Sequence, residues 1–255
     1  MTAEDVTARE MARMTIGAAR PTLIGLDVDG VLAPIVERPE QAALLPGVAE
    51  VLDDLATLLP VAIVSGRSVH DLEERYAFPE HVTVVGSHGL ETRSSPPIEL
   101  DDAEQFRLES LIELAEQGVE VAGEGAWLEH KPASVVLHTR EADPTRAQLA
   151  TGLLLDRAPN IAGAHAKQGH AVVELMARTT SKAGAIAELR RRVGAASVVF
   201  AGDDRTDEEV FAGLGPGDLP VRVGPGSTCA RYRLPQPTDV LDWLRLVLLD
   251  LSGHG

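Results

Sequence analysis

Short apolar runs alternate with longer stretches of helical periodicity along most of this chain. Runs that are short, apolar and bounded by turn residues are typical of buried strands, and five occur, at residues 22–26, 61–64, 82–85, 197–201 and 220–223. Stripes of helical spacing occur at residues 47–59, 182–193 and 240–249. Buried strands separated by amphipathic helices predict an α/β fold with a parallel sheet and right-handed crossovers.

The middle of the chain departs from this alternation. Helical stretches at residues 101–117 and 145–158 are each followed by short apolar stretches, at 119–122, 127–130, 135–138, 161–166 and 171–175, spaced as in a hairpin-rich sheet. Together with a chain-breaking segment at 94–97 they predict an α+β insert of about 75 residues, enough for a small domain. We therefore expect an α/β core from residues 1–97 and 176–255 and an inserted domain from residues 98–175. Residues 1–20 fit either a frayed helix or a flexible tail.

Composition narrows the class of protein. Of 255 residues, 44% are apolar and 24% are charged, which is typical of a globular chain. Against 23 Lys and Arg stand 39 Asp and Glu, a net charge of −16, which argues against a nucleic-acid or membrane-surface partner. The single cysteine, Cys229, excludes an internal disulfide framework and a thiolate metal cluster. With no apolar run of about 18 residues and no signal-peptide pattern at the N-terminus, we expect a cytoplasmic protein.

Two acidic clusters follow two of the predicted strands. Asp27 and Asp29 come after the first strand, with Gly30 allowing an immediate turn. Residues at i and i+2 of an extended chain lie on one side, so both carboxylates can face one small object. An Asp-rich turn with no ligand is the alternative. Four acids then stand in six residues after the strand at 197–201: Asp203, Asp204, Asp207 and Glu208.

Helix capping explains part of the second cluster. Thr206 could be the N-cap of the next helix, with Asp207 and Glu208 favourable in its first turn. Asp203 and Asp204 precede that position and are left unexplained by it. Acidic ends on two strands of one parallel sheet indicate an all-oxygen site suited to Mg²⁺.

Two further segments carry candidate chemistry. Ser65, Gly66 and Arg67 end the second core strand and offer a hydroxyl and free backbone N–H groups for a phosphate, although an ordinary capped turn explains them too. Lys182 would lie in the first turn of a helix, where the macrodipole disfavours a cation. Either it compensates nearby negative charge or it is a solvated surface lysine.

Taken in order, Asp-x-Asp-Gly, Ser, Lys and Gly-Asp-Asp resemble the four motifs of the haloacid dehalogenase superfamily of phosphohydrolases. The extended segment 202–208, Gly-Asp-Asp-x-Thr-Asp-Glu, is similar to that of the trehalose-6-phosphate phosphatase family, as are segments 65–67 and 86–89 with Glu91. The insert adds a resemblance at 129–134, His138-x-Arg140 and 172–174. This implies a Rossmann-like parallel-sheet core with an inserted α+β cap domain.

The sequence departs from the family pattern at three places. Val31 stands where the family usually has Thr, and segment 181–183 is Ser-Lys-Ala instead of Asn-Lys-Gly. These changes leave the charged groups intact. His170 stands where a Lys is expected, four residues before Glu174, which bears on the sugar and not on the chemistry.

The resemblance implies a two-step phosphoryl transfer. Asp27 would attack phosphorus to form an aspartyl-phosphate, and Asp29 would protonate the departing sugar oxygen and then deprotonate water. Ser65 and Lys182 would bind the phosphoryl oxygens. Mg²⁺, the implied cofactor, would be held by Asp27, the backbone carbonyl of Asp29 and Asp203, with Asp204 and Asp207 behind them.

The insert would form a mobile cap that reads the sugar. The implied substrate contacts are Gly66, Arg67, His88, Glu129, Lys131, Arg140 and Glu174. For Glu129 and Lys131 the alternative is the solvent face of an alternating strand, and His88 and His138 have the alternative of ordinary core or surface histidines. The small-molecule partner would thus be a sugar phosphate.

Other functions stay open at this stage. A related phosphatase acting on sucrose phosphate or a glycosyl-3-phosphoglycerate, or a sugar phosphomutase, shares the same motifs. A non-catalytic phosphosugar sensor would have lost at least one of Asp27, Asp29, Lys182 or Asp203, and all four are present. Walker A, Gly-x-Gly-x-x-Gly and Gly-x-Ser-x-Gly motifs are absent from the sequence. The sequence does not indicate an oligomeric state.

Overall fold

An eight-stranded sheet forms the centre of the first of two structural units. The computed structural model describes residues 3–36, 42–93, 100–178 and 180–253. The chain divides into one unit of Met1–Ser95 with Thr180–Gly255 and a second of Pro96–Thr179. The predicted breaker at 94–97 and the first predicted domain boundary, at 97/98, fall outside the described residues.

The first unit's strands are parallel except at one edge. In chain order they are β1 (Glu4–Asp5), β2 (Thr22–Leu26), β3 (Val61–Val64), β4 (Thr83–Gly86), β5 (Glu91–Thr92), β10 (Ser197–Gly202), β11 (Leu219–Val223) and β12 (Tyr232–Leu234). In the sheet they run β1-β12-β11-β10-β2-β3-β4-β5, and only β5 pairs antiparallel with its neighbour. The predicted parallel sheet is confirmed, and β2 and β3 have the predicted bounds.

Helices cover both faces of this sheet. They are α1 (Ala8–Gly17), α2 (Val48–Ala56), α3 (Val69–Tyr76), α6 (Lys182–Val193), α7 (Arg205–Gly213) and α8 (Pro237–Ser252). Strand residues alternate between two apolar clusters. Ile24 and Val199 face the cluster that includes α1, α2 and α8, whereas Leu23 and Phe200 face the one that includes α6 and α7.

The N-terminal segment, left undecided from the sequence, is ordered structure over its described residues. Thr7 caps α1 in a capping box with Glu10, and Met11 is fully buried in the core. The indole Nε1 of Trp243 on α8 donates to Thr15 Oγ1 at 3.0 Å. Helix α1 is therefore part of the core.

The second unit is a four-stranded antiparallel sheet with two long helices on one face. Its elements are α4 (Asp102–Ala122), β6 (Trp127–Lys131), β7 (Ser134–His138), α5 (Pro144–Arg157), β8 (His165–Gln168) and β9 (Val172–Met176). The strand order is β6-β7-β9-β8. Leu111, Leu137, Leu154 and Leu175 belong to its core, between the sheet and the helices.

Two predicted strands in this region are wrong or displaced. Residues 119–122 form the last turn of α4, because Gly118 and Ala122 lie on its buried side and the helix ends only at Gly123, at φ +78°. The strand predicted at 161–166 begins at His165 and follows a 3₁₀ turn at Ala158–Asn160. Within the described residues no helix is long and apolar enough to span a membrane.

Candidate active site

Asp27 lies directly after β2, at the carboxyl end of the parallel sheet. Its backbone N–H donates to Ala201 O on the neighbouring strand β10 at 3.0 Å, which places it beside the turn that carries Asp203. The side chain is buried, and its Oδ1 accepts from the backbone N–H of Val28 at 2.7 Å. Open α/β sheets place their ligand sites at this edge.

Lys182 supplies the positive charge beside Asp27. It is the first residue of α6, capped by Ser181, and only 2% of its surface is exposed. Its Nζ lies 2.6 Å from Asp27 Oδ2 and 2.8 Å from Asp207 Oδ1. Burial opposes the charged form of Lys182, but Asp27 and Asp207 outweigh it and raise its pKa. The reading of Lys182 as a compensating cation is confirmed, and the solvated alternative is excluded.

Three carboxylates around Lys182 could hold a cation. Asp27, Asp203 and Asp207 each offer an oxygen within 4.8 Å of the others. Burial, together with the charges of Asp207 and Asp204, raises the pKa of Asp203 to about 7. Burial also raises the pKa of Asp27, against the opposing effect of Lys182. Hard oxygen donors whose negative charge is poorly compensated suit Mg²⁺, so the donor set fits the cofactor expected from the sequence.

The turn into α7 fixes the second acidic cluster. Asp204, and not Thr206 as predicted, is the N-cap: its Oδ1 accepts from the backbone N–H groups of Thr206 and Asp207. In return Asp207 Oδ2 accepts from the backbone N–H groups of Asp203 and Asp204 at 2.9 and 3.0 Å. With Lys182 on its other oxygen, Asp207 is held on both sides, as Asp27 is by Lys182 and the Val28 N–H, which leaves Asp203 as the less committed of the three carboxylates.

Glu208 does not join this cluster, although the sequence groups it there. Its side chain accepts from the backbone N–H of Cys229 at 2.8 Å and lies 3.5 Å from Arg222 Nη1. The reason is helical geometry, since successive residues of a helix point about 100° apart. Cys229 itself is free and exposed.

Asp29 lies in a different charge environment from Asp27. Both of its oxygens accept from Arg67, at 2.7 Å from Nε and 2.8 Å from Nη2, and it is not one of the three clustered carboxylates. Arg67 is thus the partner of the Asp29 side chain, and the chain turns directly after Asp29, at Gly30 (φ +74°).

Arg67 is also held by Asp71, a residue that sequence reasoning missed. Arg67 Nη1 donates to Asp71 Oδ2 at 2.9 Å, and Asp71 also accepts from Arg75. Despite burial, the hydrogen bonds from Arg67 and Arg75 lower the pKa of Asp71. The i,i+4 spacing of Arg67, Asp71 and Arg75 is the signal that would have found this network.

The loop after β3, with Ser65 and Gly66, contacts the loop after β4, with His88. Ser65 is buried, its carbonyl accepts from the His88 N–H at 2.9 Å, and its Oγ accepts from the Arg67 N–H at 3.2 Å. A Cβ on Gly66 would lie 2.7 Å from the His88 ring. The backbone of His88 lies in the left-handed region, at φ +56°. The predicted phosphate-binding segment is thus a shaped backbone turn with the imidazole against it.

Most of the remaining predicted contacts lie on one face of the second unit's sheet. Lys131 Nζ is 3.3 Å from Glu174 Oε1, which also accepts from Ser134 Oγ at 2.8 Å. Glu129 Oε2 lies 2.9 Å from His138 Nε2. Arg140 instead lines a cavity of about 330 Å³ beside α5, with Thr139, Gln148 and Gln168.

Comparison with known proteins decides the family. Residues 25–233 match the profile of the family described as trehalose-phosphatase. The chain belongs to the trehalose-phosphatase family. A trehalose-6-phosphate phosphatase of Escherichia coli strain K12 is 34% identical over 236 residues, which cover 89% of this chain and 86% of that protein.

Two other comparisons concern the length of the match and the fold. A Mycobacterium tuberculosis protein described as an uncharacterized glycosyl hydrolase is 33% identical over 260 residues, 95% of this chain but 19% of that protein. The chain therefore spans about a fifth of the length of that curated relative. The C-terminal domain of the Candida albicans trehalose-6-phosphate phosphatase has a TM-score of 0.74 at 22% identity and covers 97% of this chain and 98% of its own. This likeness confirms the predicted fold class for this member of the trehalose-phosphatase family.

Proposed function

We propose that this chain hydrolyses trehalose 6-phosphate to trehalose and phosphate, with Mg²⁺ as cofactor and Asp27 as nucleophile. The observation that carries the proposal is Asp27 itself, buried at the end of β2 between Lys182 and the Val28 N–H. It stands in a chain 34% identical to a trehalose-6-phosphate phosphatase. Both oxygens of this carboxylate have fixed donors, so the attacking group is oriented before substrate arrives.

The first step would transfer the phosphoryl group to the protein. An Asp27 oxygen forms a bond to phosphorus while the bond from phosphorus to the sugar oxygen breaks, and Asp29 donates a proton to that oxygen. Because Arg67 binds both Asp29 oxygens, at least one of these hydrogen bonds has to open before Asp29 can carry the proton.

The second step would release phosphate. Asp29 takes a proton from water, the water oxygen bonds to phosphorus, and the bond to Asp27 breaks. Lys182 and Ser65 would bind phosphoryl oxygens throughout, since positioning and charge stabilisation dominate this chemistry.

Asp27, the backbone carbonyl of Asp29 and Asp203 would hold Mg²⁺, with Asp204 and Asp207 fixing the turn behind them. The ion would offset the repulsion between these carboxylates and a phosphate ester.

We further propose that the second unit supplies the sugar contacts. Glu129, Lys131 and Glu174 share one face of its sheet, and their carboxylate and ammonium groups can accept from and donate to sugar hydroxyls. In the first unit, Gly66, Arg67 and His88 would lie against the ester.

The test is phosphate release from trehalose 6-phosphate by the purified chain, with Mg²⁺ and with EDTA. We expect turnover with Mg²⁺, none with EDTA, and slower release from sucrose phosphate and glucosyl-3-phosphoglycerate. Asp27→Asn keeps the shape of the side chain and removes its nucleophilic charge, so we expect no turnover and an unchanged circular dichroism spectrum.

Asp53→Asn, at an exposed position of α2, is the matched control and keeps full activity. Turnover retained in Asp27→Asn would refute the assignment of Asp27 as nucleophile. Equal rates on all three esters would refute the assignment of trehalose 6-phosphate as the preferred substrate.

A further inference from the structure

Trp127 is a large apolar side chain left exposed on a strand. It opens β6, and 53% of its surface is accessible. Its indole stacks on the imidazole of His138, its cross-strand partner on β7, with ring centroids 3.9 Å apart and planes 2° from parallel. One ring face is thus covered, and the exposed area includes the other.

A hydrogen bond between His138 and Glu129 fixes the orientation of the stacked pair. His138 Nε2 lies 2.9 Å from Glu129 Oε2, and since a carboxylate only accepts, the imidazole donates this hydrogen bond. A fixed imidazole in turn restricts the indole that stacks on it. Trp127 therefore presents its open face with little conformational freedom left to lose on binding.

Hydrogen-bonding groups of both kinds surround this platform on the same sheet face. By the strand registers, Glu129, Val136, Glu174 and Lys167 form one row across the four strands, next to a row that begins with Lys131 and Ser134. The intervening residues, such as Leu128, Leu137 and Val173, point the other way, into the core. The face thus combines two carboxylates with two ammonium groups.

This combination indicates the chemistry of the occupant. Balanced charges give no net attraction for an anion or a cation, whereas a neutral polyol can donate to the carboxylates and accept from the ammonium groups. The face of an indole carries partial negative charge, which matches the polarised C–H groups on one face of a hexose ring.

We propose that Trp127 is a specificity-determining residue whose indole stacks against a hexose ring of the substrate. The proposal rests on the proposed function, in that the hexose belongs to trehalose 6-phosphate. The polar residues of the face fix the hydroxyls, and Trp127 selects for a ring with an apolar C–H face.

Fluorescence provides a direct test because the chain has two tryptophans and the other, Trp243, is fully buried. In Asp27→Asn, which we expect to bind substrate without turning it over, trehalose 6-phosphate should protect Trp127 from acrylamide quenching. In Asp27→Asn with Trp127→Phe the protection disappears, because only Trp243 still emits. Unchanged quenching on addition of the ester would overturn the proposal.

Kinetics separates stacking from a structural role. We expect Trp127→Ala to raise KM for trehalose 6-phosphate about tenfold, the size expected for loss of one aromatic contact, with kcat within about twofold. Trp127→Phe should restore most of the affinity. The matched control is Phe106→Ala, which removes another exposed aromatic of the same unit, on α4, and leaves KM unchanged.

The two proposals fail in different ways. A wild-type chain that hydrolyses a different sugar phosphate would overturn the proposed substrate, and the quenching experiment would then use that ester. A wild-type chain that hydrolyses trehalose 6-phosphate, while Trp127→Ala keeps its KM, would overturn the role of Trp127 alone.

Discussion

Gly30 sets how closely the turn after Asp27 approaches Asp203. Its φ of +74° lies in the left-handed region, and a Cβ built there would stand 2.1 Å from Asp203 Oδ2 and 2.3 Å from its Cγ. No real side chain accommodates such a contact, so any other residue has to displace the carboxylate. Gly30 thus avoids a steric clash with the Asp203 carboxylate and also lets the chain turn.

If the proposed Mg²⁺ site forms, Mg²⁺ should raise the melting temperature of the wild-type protein, and we expect Gly30→Ala to lose this rise. Gly194→Ala is the matched control, because Gly194 also has positive φ (+63°) but nothing lies within 4 Å of its added Cβ. It should destabilise the protein by roughly 1 kcal/mol and keep the Mg²⁺ effect. Differential scanning fluorimetry with and without Mg²⁺ measures both. If the two variants respond alike to Mg²⁺, the displacement of Asp203 is not the cause.

At the level of residues, the sequence was informative where a side chain conflicts with its local setting. Lys182 at the start of a helix opposes the macrodipole, and that conflict correctly indicated acidic neighbours. The partner of Asp29 could not be read in this way. Arg67 lies 38 positions away and reaches Asp29 only through the packing of β2 against β3, which no local pattern encodes.

At the level of elements, the errors arose where one pattern fits two structures. The apolar run at 119–122 suits a short strand as well as a helix end, and the preceding helix settles it. The N-cap of α7 was misplaced by two residues because both Asp204 and Thr206 are favourable capping residues. In the structure β10 ends at Gly202 and α7 begins at Arg205, so Asp204 is the N-cap and Thr206 lies inside the helix.

The start of α4 provides a pH-dependent stability. Hydrogen bonds from Arg178, and then the N–H of Asp101, lower the pKa of Glu104 from 4.5 to about 2. A carboxyl whose pKa is lowered by folding stabilises the protein above its unfolded pKa, and this contribution is lost as pH falls toward the folded value. The stabilisation is therefore complete at neutral pH and declines between about pH 4.5 and pH 2.

We expect Glu104→Gln to be less stable than the wild type at pH 7 and the difference to shrink steadily below pH 4.5. Urea unfolding at a series of pH values measures it. Glu116→Gln, at an exposed position of the same helix, is the control and should show no such dependence. A Glu104→Gln difference that is constant from pH 7 to pH 3 would contradict the assignment.

For the whole molecule, the charge of −16 has a local meaning that the total does not reveal. One buried cation, Lys182, faces four carboxylates, those of Asp27, Asp203, Asp204 and Asp207. The negative charges of the site therefore outnumber its positive charge. Such a site repels a phosphate ester until a cation is bound. We therefore expect the acidity that argued against nucleic-acid partners also to make binding of the proposed substrate depend on Mg²⁺.

The first helix is the feature of the whole molecule that the sequence left most open. The charge pattern of this segment did not separate a frayed helix from a flexible tail, and packing decides it. Met11 is fully buried in the core that includes α8, whereas Met14 is only partly buried against it. Because deletion of a buried Met side chain leaves a cavity, Met11→Ala should lower the free energy of unfolding by about 2–5 kcal/mol. Met14→Ala removes the same atoms from the same helix and should have a clearly smaller effect. Urea unfolding of the first unit, followed by Trp243 fluorescence in a Trp127→Phe background, measures both, and equal small losses would mean that α1 is not docked in the core.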